Sequence, residues 1–246
     1  MTNPKYKATF VAKGFRQEYG VDFDEIFSPV VKMTTLRFML GVMAADNLEL
    51  IQLDVKTAFL HGDLQEEIYM EQPKGFVASG QEHLVCRLRK SLYGLKQAPR
   101  QWYKKFDDFI QSVGFSKSDE DHCLFTKTAQ DGSPVFLIIY VDDMLLSGRH
   151  AGELTELVRK LRLKFAMKDL GPARHILGMK ISRHRDKRQL FLSQTDYIGR
   201  VLERFNMHSA KSASTPLPIN LRLSQRDCPT SGPEGEDMKS VPYAPA

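Results

Sequence analysis

The chain is poor in cysteine. Its three, Cys86, Cys123 and Cys228, lie far apart with no C-x-x-C pair. The sequence therefore offers neither a disulfide framework nor a cysteine zinc site, and a reducing, intracellular setting is expected. No apolar run approaches the ~20 residues of a membrane span, so no membrane partner is expected. The start, MTNPKYKATF, lacks the apolar core of a secretory signal. There is no internal repeat. Acidic residues are missing altogether from 84–106, LVCRLRKSLYGLKQAPRQWYKKF, which carries Arg87, Arg89, Lys90, Lys96, Arg100, Lys104 and Lys105. What remains, 246 residues with 42% hydrophobic and 26% charged, has the balance of one or two folded domains.

Charge is segregated along the chain. Residues 46–71 hold seven acids and one lysine, opposite in sign to the tract at 84–106, and a second basic stretch, KISRHRDKR, occupies 180–188. Basic blocks with interleaved aromatics suit a polyanion partner; they also suit a solvated charged face.

Periodicity gives an α+β fold, an antiparallel sheet backed by helices. Alternation predicts strands over 5–13 and 48–55, with Leu50, Gln52 and Asp54 on one face of the second. Leu36, Met39, Leu40 and Met43 share the face of a helix over 34–46 that Thr34 can cap. A helix over 99–115 starts at Pro99, stops at Gly114 and buries Trp102, Phe106, Phe109 and Val113. Strands over 135–141 and 144–147 form a hairpin whose tip is Asp142-Asp143. A helix over 153–167, two strands in HILGMKISR and QLFLSQ, and a helix in TDYIGRVLERF capped by Ser193 come next. From about residue 212 six of the twelve prolines crowd into a tail without periodicity. The division expected is 1–211 as the folded part and 212–246 as a disordered linker.

FLIIYVDDMLL (136–146) sets two aspartates between apolar arms. Aspartate is a favoured turn residue, so the pair reads as a solvated turn. Yet the tip has no glycine or asparagine, and the arms are apolar enough to bury its base. Two carboxylates about 4 Å apart at a partly buried site repel by roughly 4 kcal/mol. A cation between them would relieve this, and hard oxygen ligands select Mg²⁺ or Mn²⁺. Asp54, at a strand end, supplies a third carboxylate or caps the segment after the strand. Three aspartates from two strand ends are what two-metal phosphoryl transfer requires, and the basic tracts would then meet a triphosphate and a nucleic-acid backbone.

At this point a resemblance is plain. KATFVAKGFRQEYGVDFDEIFSPVVKMTTLRFML, LDVKTAFLHGDLQEEIYMEQPKGF, SLYGLKQAPRQWY, YVDDML and MKDLGPARHILGMKI, in this order, resemble the reverse transcriptase of copia-type LTR retrotransposons, plant members above all. The resemblance runs from residue 5 to about 245. It implies a right-hand polymerase palm with partial fingers and a thumb-proximal portion, adding dNTPs to a DNA or RNA primer on an RNA template with two Mg²⁺ ions, or Mn²⁺. By resemblance Asp54, Asp142 and Asp143 are catalytic metal ligands, joined by the carbonyl of Val55. Phe59 matches the aromatic gate beneath the sugar, where a ring collides with a 2′-hydroxyl; a polymerase of ribonucleotides would be expected to offer a polar group there. Lys7, Lys13, Tyr93, Gln97 and Lys168 are expected at the dNTP, Lys168 as proton donor to pyrophosphate. Leu177, Gly178 and Met179 match the turn that grips the primer, and Lys96 and Arg100 are expected at the primer–template. Relatives continue before YKA and, past VPYAPA, into RNase H, and carry an arginine at Thr9. RNase H and integrase partners, a cytoplasmic virus-like particle for an intact element, and a fragment or degenerate copy here are what the resemblance implies. The alternative is a catalytically inactive remnant that binds RNA or an RNA/DNA duplex.

Overall fold

Apolar segments from distant parts of the sequence, Glu49–Val55 and the hairpin of Pro134–Tyr140 and Asp143–Gly148, meet in one antiparallel sheet. The computed structural model describes residue 6, residues 8–215, residue 217 and residues 220–239. After a short 3-10 turn (Gly14–Arg16), α1 (Met33–Ala45) leads into β1 (Glu49–Val55), a second 3-10 turn (Ala58–His61), and the small hairpin of β2 (Tyr69–Glu71) and β3 (Val85–Arg87). Then come α2 (Ala98–Ser112), β4 (Ser116–Lys117), β5 (Leu124–Thr128), β6 (Pro134–Tyr140), β7 (Asp143–Gly148), α3 (Ala151–Lys164) and β8 (Met167–Pro172). The sheet runs β4-β5-β6-β7-β1-β8, every neighbouring pair antiparallel. β9 (His175–Ile176), β10 (Met179–His184) and β11 (Gln189–Ser193) form a second sheet, and α4 (Thr195–Arg204) and α5 (Gly232–Lys239) complete the described elements. The chain divides into one unit of Met1–Leu177 with Ile181–Phe191 and another of Gly178–Lys180 with Leu192–Ala246.

The centre of the sheet is dry. Leu137, Ile138 and Ile139 of β6, Met144, Leu145 and Leu146 of β7, and Leu53 and Val55 of β1 are buried, as near-continuous apolar strands must be when both faces are covered. α2 joins them through aromatic edges: Phe106 meets Phe125 of β5 at 5.7 Å, and Trp102 meets Phe165 at 5.1 Å. Each such ring contributes about 1.5–3 kcal/mol of transfer free energy.

Several expectations are corrected. The predicted strand over 5–13 forms a single bridge among its described residues, Val11 to Tyr93, with Ala12 N–H donating to the Tyr93 carbonyl at 2.7 Å. The approach is so close that a Cβ on Gly94 (φ +92°) would lie 2.1 Å from the Ala12 oxygen, so neither a side chain nor a regular ladder fits. The helix predicted over 153–167 ends at Lys164, because β8 takes up the open edge of β1; this edge tolerates Gly171 and Pro172. Thr34 does not cap α1: the Lys32 N–H donates instead to Asp121 Oδ2 at 2.9 Å. The arginines of the basic stretch 180–188 engage the junction of α1 and β1. Arg183 donates to the carbonyls of Leu48 (2.5 Å) and Met43 (3.1 Å), Arg188 to that of Ala45 (3.2 Å), and Arg185 pairs with Glu49. Cations on the last carbonyls of α1 satisfy groups that a helix end leaves open. No correction attaches to the expected division at residue 211; among the described residues of the tail, Gln225–Asp227 is a 3-10 turn closed by a Ser224–Asp227 capping box, and α5 comes after it.

Candidate active site

The β1–β7 register brings the carboxylates together. Asp54 lies directly opposite Asp143, and the Val55 N–H donates to the Asp142 carbonyl at 2.8 Å. Residues directly opposite on antiparallel strands hold their Cβ atoms about 4.5–5.5 Å apart, and like charges there are destabilising. The hairpin linking β6 to β7 has Val141 and Asp142 as its two turn residues, since Tyr140 pairs with Asp143. Val141 takes φ +55°, a conformation such turns normally give to glycine, so the sequence keeps a bulky residue at a strained position.

All three carboxylates are half-buried. Burial, and then the charges of Asp142 and Asp54, push the Asp143 carboxyl above the usual carboxylate range. On the neighbouring strand Lys168 lies opposite Asp54, with Nζ 3.7 Å from Oδ2. Among the described residues neither Asp142 nor Asp143 has an ion-pair partner. The donor set thus fits a hard divalent cation in kind and in charge: oxygen ligands with an uncompensated negative excess. Among the described residues, however, no three Asp, Glu, His or Cys side chains are gathered closely enough to enclose an ion as they stand.

The raised carboxyl has a consequence for stability. Between the unfolded and folded pKa of Asp143 the folded chain holds the extra proton, so stability falls as pH rises through that window, and the cost is complete above it. In chelator, Asp143→Asn is expected to raise Tm by a few degrees at neutral pH, at ~2–4 °C per kcal/mol relieved. The gain should shrink as pH falls below the window. Melting curves between acid and neutral pH check this; a gain independent of pH would remove the charge explanation.

Phe59 sits on the 3-10 turn after β1. Thr57, left-handed at φ +52°, turns the chain there, and the Phe59 ring leans on Tyr93 at 4.9 Å. Burial first, then the charges of Asp142 and Asp54, raise the Tyr93 hydroxyl pKa above its ordinary value. These two rings, Val55 and Lys168 are the sequence-predicted residues that the fold brings to Asp54, Asp142 and Asp143. Gln97 is fully buried, with its amide oxygen accepting from Gln17 (3.0 Å) and its nitrogen donating to the Asp22 carbonyl (2.8 Å). Lys96 Nζ donates to the Gln17 carbonyl at 3.2 Å and lies over the Phe23 ring, and Arg100 pairs with Glu25. These three fasten residues 17–27 to the start of α2. Lys13 is exposed, and Lys7 lies outside the described residues. Leu177 and Gly178 both take positive φ and make the predicted turn, while Met179 is buried and opens β10.

The acids of 46–71 and the bases of 84–106 partly neutralise each other. Asp63 receives both Lys90 and Lys105, and Glu67 pairs with Arg87 at 3.3 Å. Exposed pairs of this kind contribute about 0–1 kcal/mol, so they yield readily to a competing anion. One further feature carries no sequence signal: the Trp102 indole N–H donates to the Val141 carbonyl at 2.6 Å. Helical spacing marks Trp102 only as core.

Among the described residues no helix is long and apolar enough to cross a membrane. A family model described as reverse transcriptase (RNA-dependent DNA polymerase) matches residues 1–219. The chain is 57% identical over 242 residues to the retrovirus-related Pol polyprotein from transposon TNT 1-94 of Nicotiana tabacum, covering 98% of this chain and 18% of that protein. It is 41% identical over 220 residues to that from transposon RE1 of Arabidopsis thaliana, covering 89% and 15%. It is 30% identical over 190 residues to the transposon Ty1-DR4 Gag-Pol polyprotein of Saccharomyces cerevisiae, covering 74% and 11%. The chain therefore spans less than a fifth of the length of these relatives.

Proposed function

The chain belongs to the reverse transcriptase (RNA-dependent DNA polymerase) family, and from this we propose that it carries the nucleotidyl-transfer centre that extends a primer 3′-hydroxyl with dNTPs on an RNA template. The six-stranded sheet with its helices is the palm, residues 8–31 and the β2–β3 hairpin belong to the fingers, and the chain beyond Leu177 begins the thumb-proximal part. Residues 1–211 act as the polymerase portion, and 212–246 are the linker after it. The observation that carries the reading is Asp54 opposite Asp143, with Asp142 in the adjoining turn and Lys168 beside Asp54.

Asp54, Asp142 and Asp143, with the Val55 carbonyl, would hold two Mg²⁺ ions. A divalent ion held by these residues would supply activation of the 3′-hydroxyl and charge neutralisation at the triphosphate. The chain's own groups do the rest. Phe59 lies under the sugar and excludes a 2′-hydroxyl, and Tyr93 presents its phenol beside the same ring. The Lys168 ammonium, exposed and 3.7 Å from Asp54, donates a proton to the departing pyrophosphate. The cations at 84–106 exchange surface carboxylates for backbone phosphates, which makes binding salt-dependent.

The test is incorporation of dTTP on poly(rA)·oligo(dT) with Mg²⁺ or Mn²⁺. Template-dependent DNA synthesis is the expected result. Duplex binding that weakens with salt, without synthesis in either metal, would mean a remnant that binds only.

A further inference from the structure

Two consecutive carbonyls of the Val141-Asp142 turn are held from different sides. The Asp142 carbonyl accepts the Val55 N–H of β1 at 2.8 Å, and the Val141 carbonyl accepts the Trp102 indole N–H of α2 at 2.6 Å. Val141 needs such a hold. It is β-branched and sits at φ +55°, a region that L-residues with bulky side chains leave unless something keeps them there. The indole cannot swing aside. It is 2% exposed and is flanked by Phe165 at 5.1 Å, Phe106 at 5.8 Å and His61 at 5.8 Å. α2 itself is packed close to the chain at Gly62: a Cβ there would lie 2.9 Å from the Trp102 main-chain nitrogen.

We propose that Trp102 is a positioning residue for the carboxylate turn, its indole N–H keeping Val141 left-handed and thereby fixing where Asp142 and Asp143 present their oxygens. The inference rests on the reading of these carboxylates as the nucleotidyl-transfer centre. Trp102 touches no reacting atom; it acts through one carbonyl. A buried tryptophan also needs a partner for its N–H in any core. The strain at Val141 separates the two roles, because glycine at 141 adopts positive φ without help. If the indole serves only itself, relaxing Val141 will not compensate for its loss.

Three variants test this: Trp102→Phe, Val141→Gly and the double variant. Trp102→Phe keeps an aromatic ring and removes the N–H. It is expected to lower kcat for dTTP about 5–10-fold, a net hydrogen bond expressed as a rate. KM should stay within about 2-fold, and Mn²⁺ affinity, read from free Mn²⁺ by electron paramagnetic resonance, should weaken alongside kcat. In the double variant, kcat and Mn²⁺ affinity should match those of Val141→Gly alone. Wild-type kcat and Mn²⁺ affinity in Trp102→Phe would overturn the proposal. So would a loss that Val141→Gly leaves untouched while Tm falls. If the wild type makes no DNA, the functional reading fails, and the Mn²⁺ measurements still judge Trp102. The bond is tested by itself as well. Trp102 is the single tryptophan, so its indole gives one proton–nitrogen resonance. Slow solvent exchange is expected; exchange as fast as in an exposed indole overturns the proposal regardless of activity.

Discussion

Replacing Asp142 with asparagine is expected to cut dTTP incorporation on poly(rA)·oligo(dT) by at least ~10³-fold, the rate equivalent of losing on the order of 4 kcal/mol of charge stabilisation at a metal-assisted centre. The substitution is nearly isosteric, so the turn should survive. The Val55 N–H bonds to the Asp142 main chain, not to its side chain. Removing one negative charge also eases the burden on Asp143, whose carboxyl is pushed upward partly by Asp142. Tm in chelator should therefore hold or rise while synthesis collapses. Asp54→Asn should behave alike in synthesis, with one difference: it also frees Lys168, which lies 3.7 Å from Asp54. Salt-sensitive duplex binding should persist in both variants, since neither touches the basic tract. Activity surviving in Asp142→Asn would refute the site assignment; lost activity with a lowered Tm would mean only a damaged turn.

How much of this could be read beforehand varies with the kind of signal. The hairpin and β1 were legible because their apolar runs are long and end at charges, and the register of a buried strand is set by which face must be dry. α1 and α2 were legible from the 3.6-residue stripe. β8 was not: MKDLGP has no alternation, and its strand state comes from pairing with β1, a long-range contact that local periodicity cannot report. The N-terminal segment failed the other way, alternating like a strand while only one bridge forms among its described residues. At the site, the spacing of Asp142-Asp143 and the strand-end position of Asp54 were visible, but their mutual approach required the register. Charge segregation between 46–71 and 84–106 suits a polyanion partner and a solvated charged face alike, and it does not report that several of those charges meet each other or fasten residues 17–27. A linear sequence shows that blocks of opposite sign exist, not that Asp63 sits between Lys90 and Lys105.

Substituting alanine for Phe59 is expected to relax sugar discrimination by ~10–200-fold, the range over which fit in an apolar pocket separates close analogues. The position argues for this outcome. Phe59 lies five residues beyond Asp54, and the left-handed Thr57 turns the chain between them. Tyr93, 4.9 Å away from the Phe59 ring, feels the charges of Asp142 and Asp54, so the aromatic pair is a neighbour of the carboxylates and not a remote piece of core. Ala58 before it is buried, which anchors the turn when the ring is cut back. Phe59 also packs on the small cluster of Ala12, Ile68, Leu95 and Ala98, so some stability is lost with it. A gate and a packing residue give different kinetics. If Phe59 excludes the 2′-hydroxyl, Phe59→Ala raises kcat/KM for rUTP while kcat/KM for dTTP falls modestly, and Phe59→Tyr retains discrimination because the ring remains. If Phe59 only packs, both nucleotides lose efficiency together and their ratio stays at the wild-type value. Single-nucleotide insertion with dTTP and rUTP, alongside melting curves for each variant, decides between them; an unchanged ratio in Phe59→Ala would place sugar selection elsewhere in the chain.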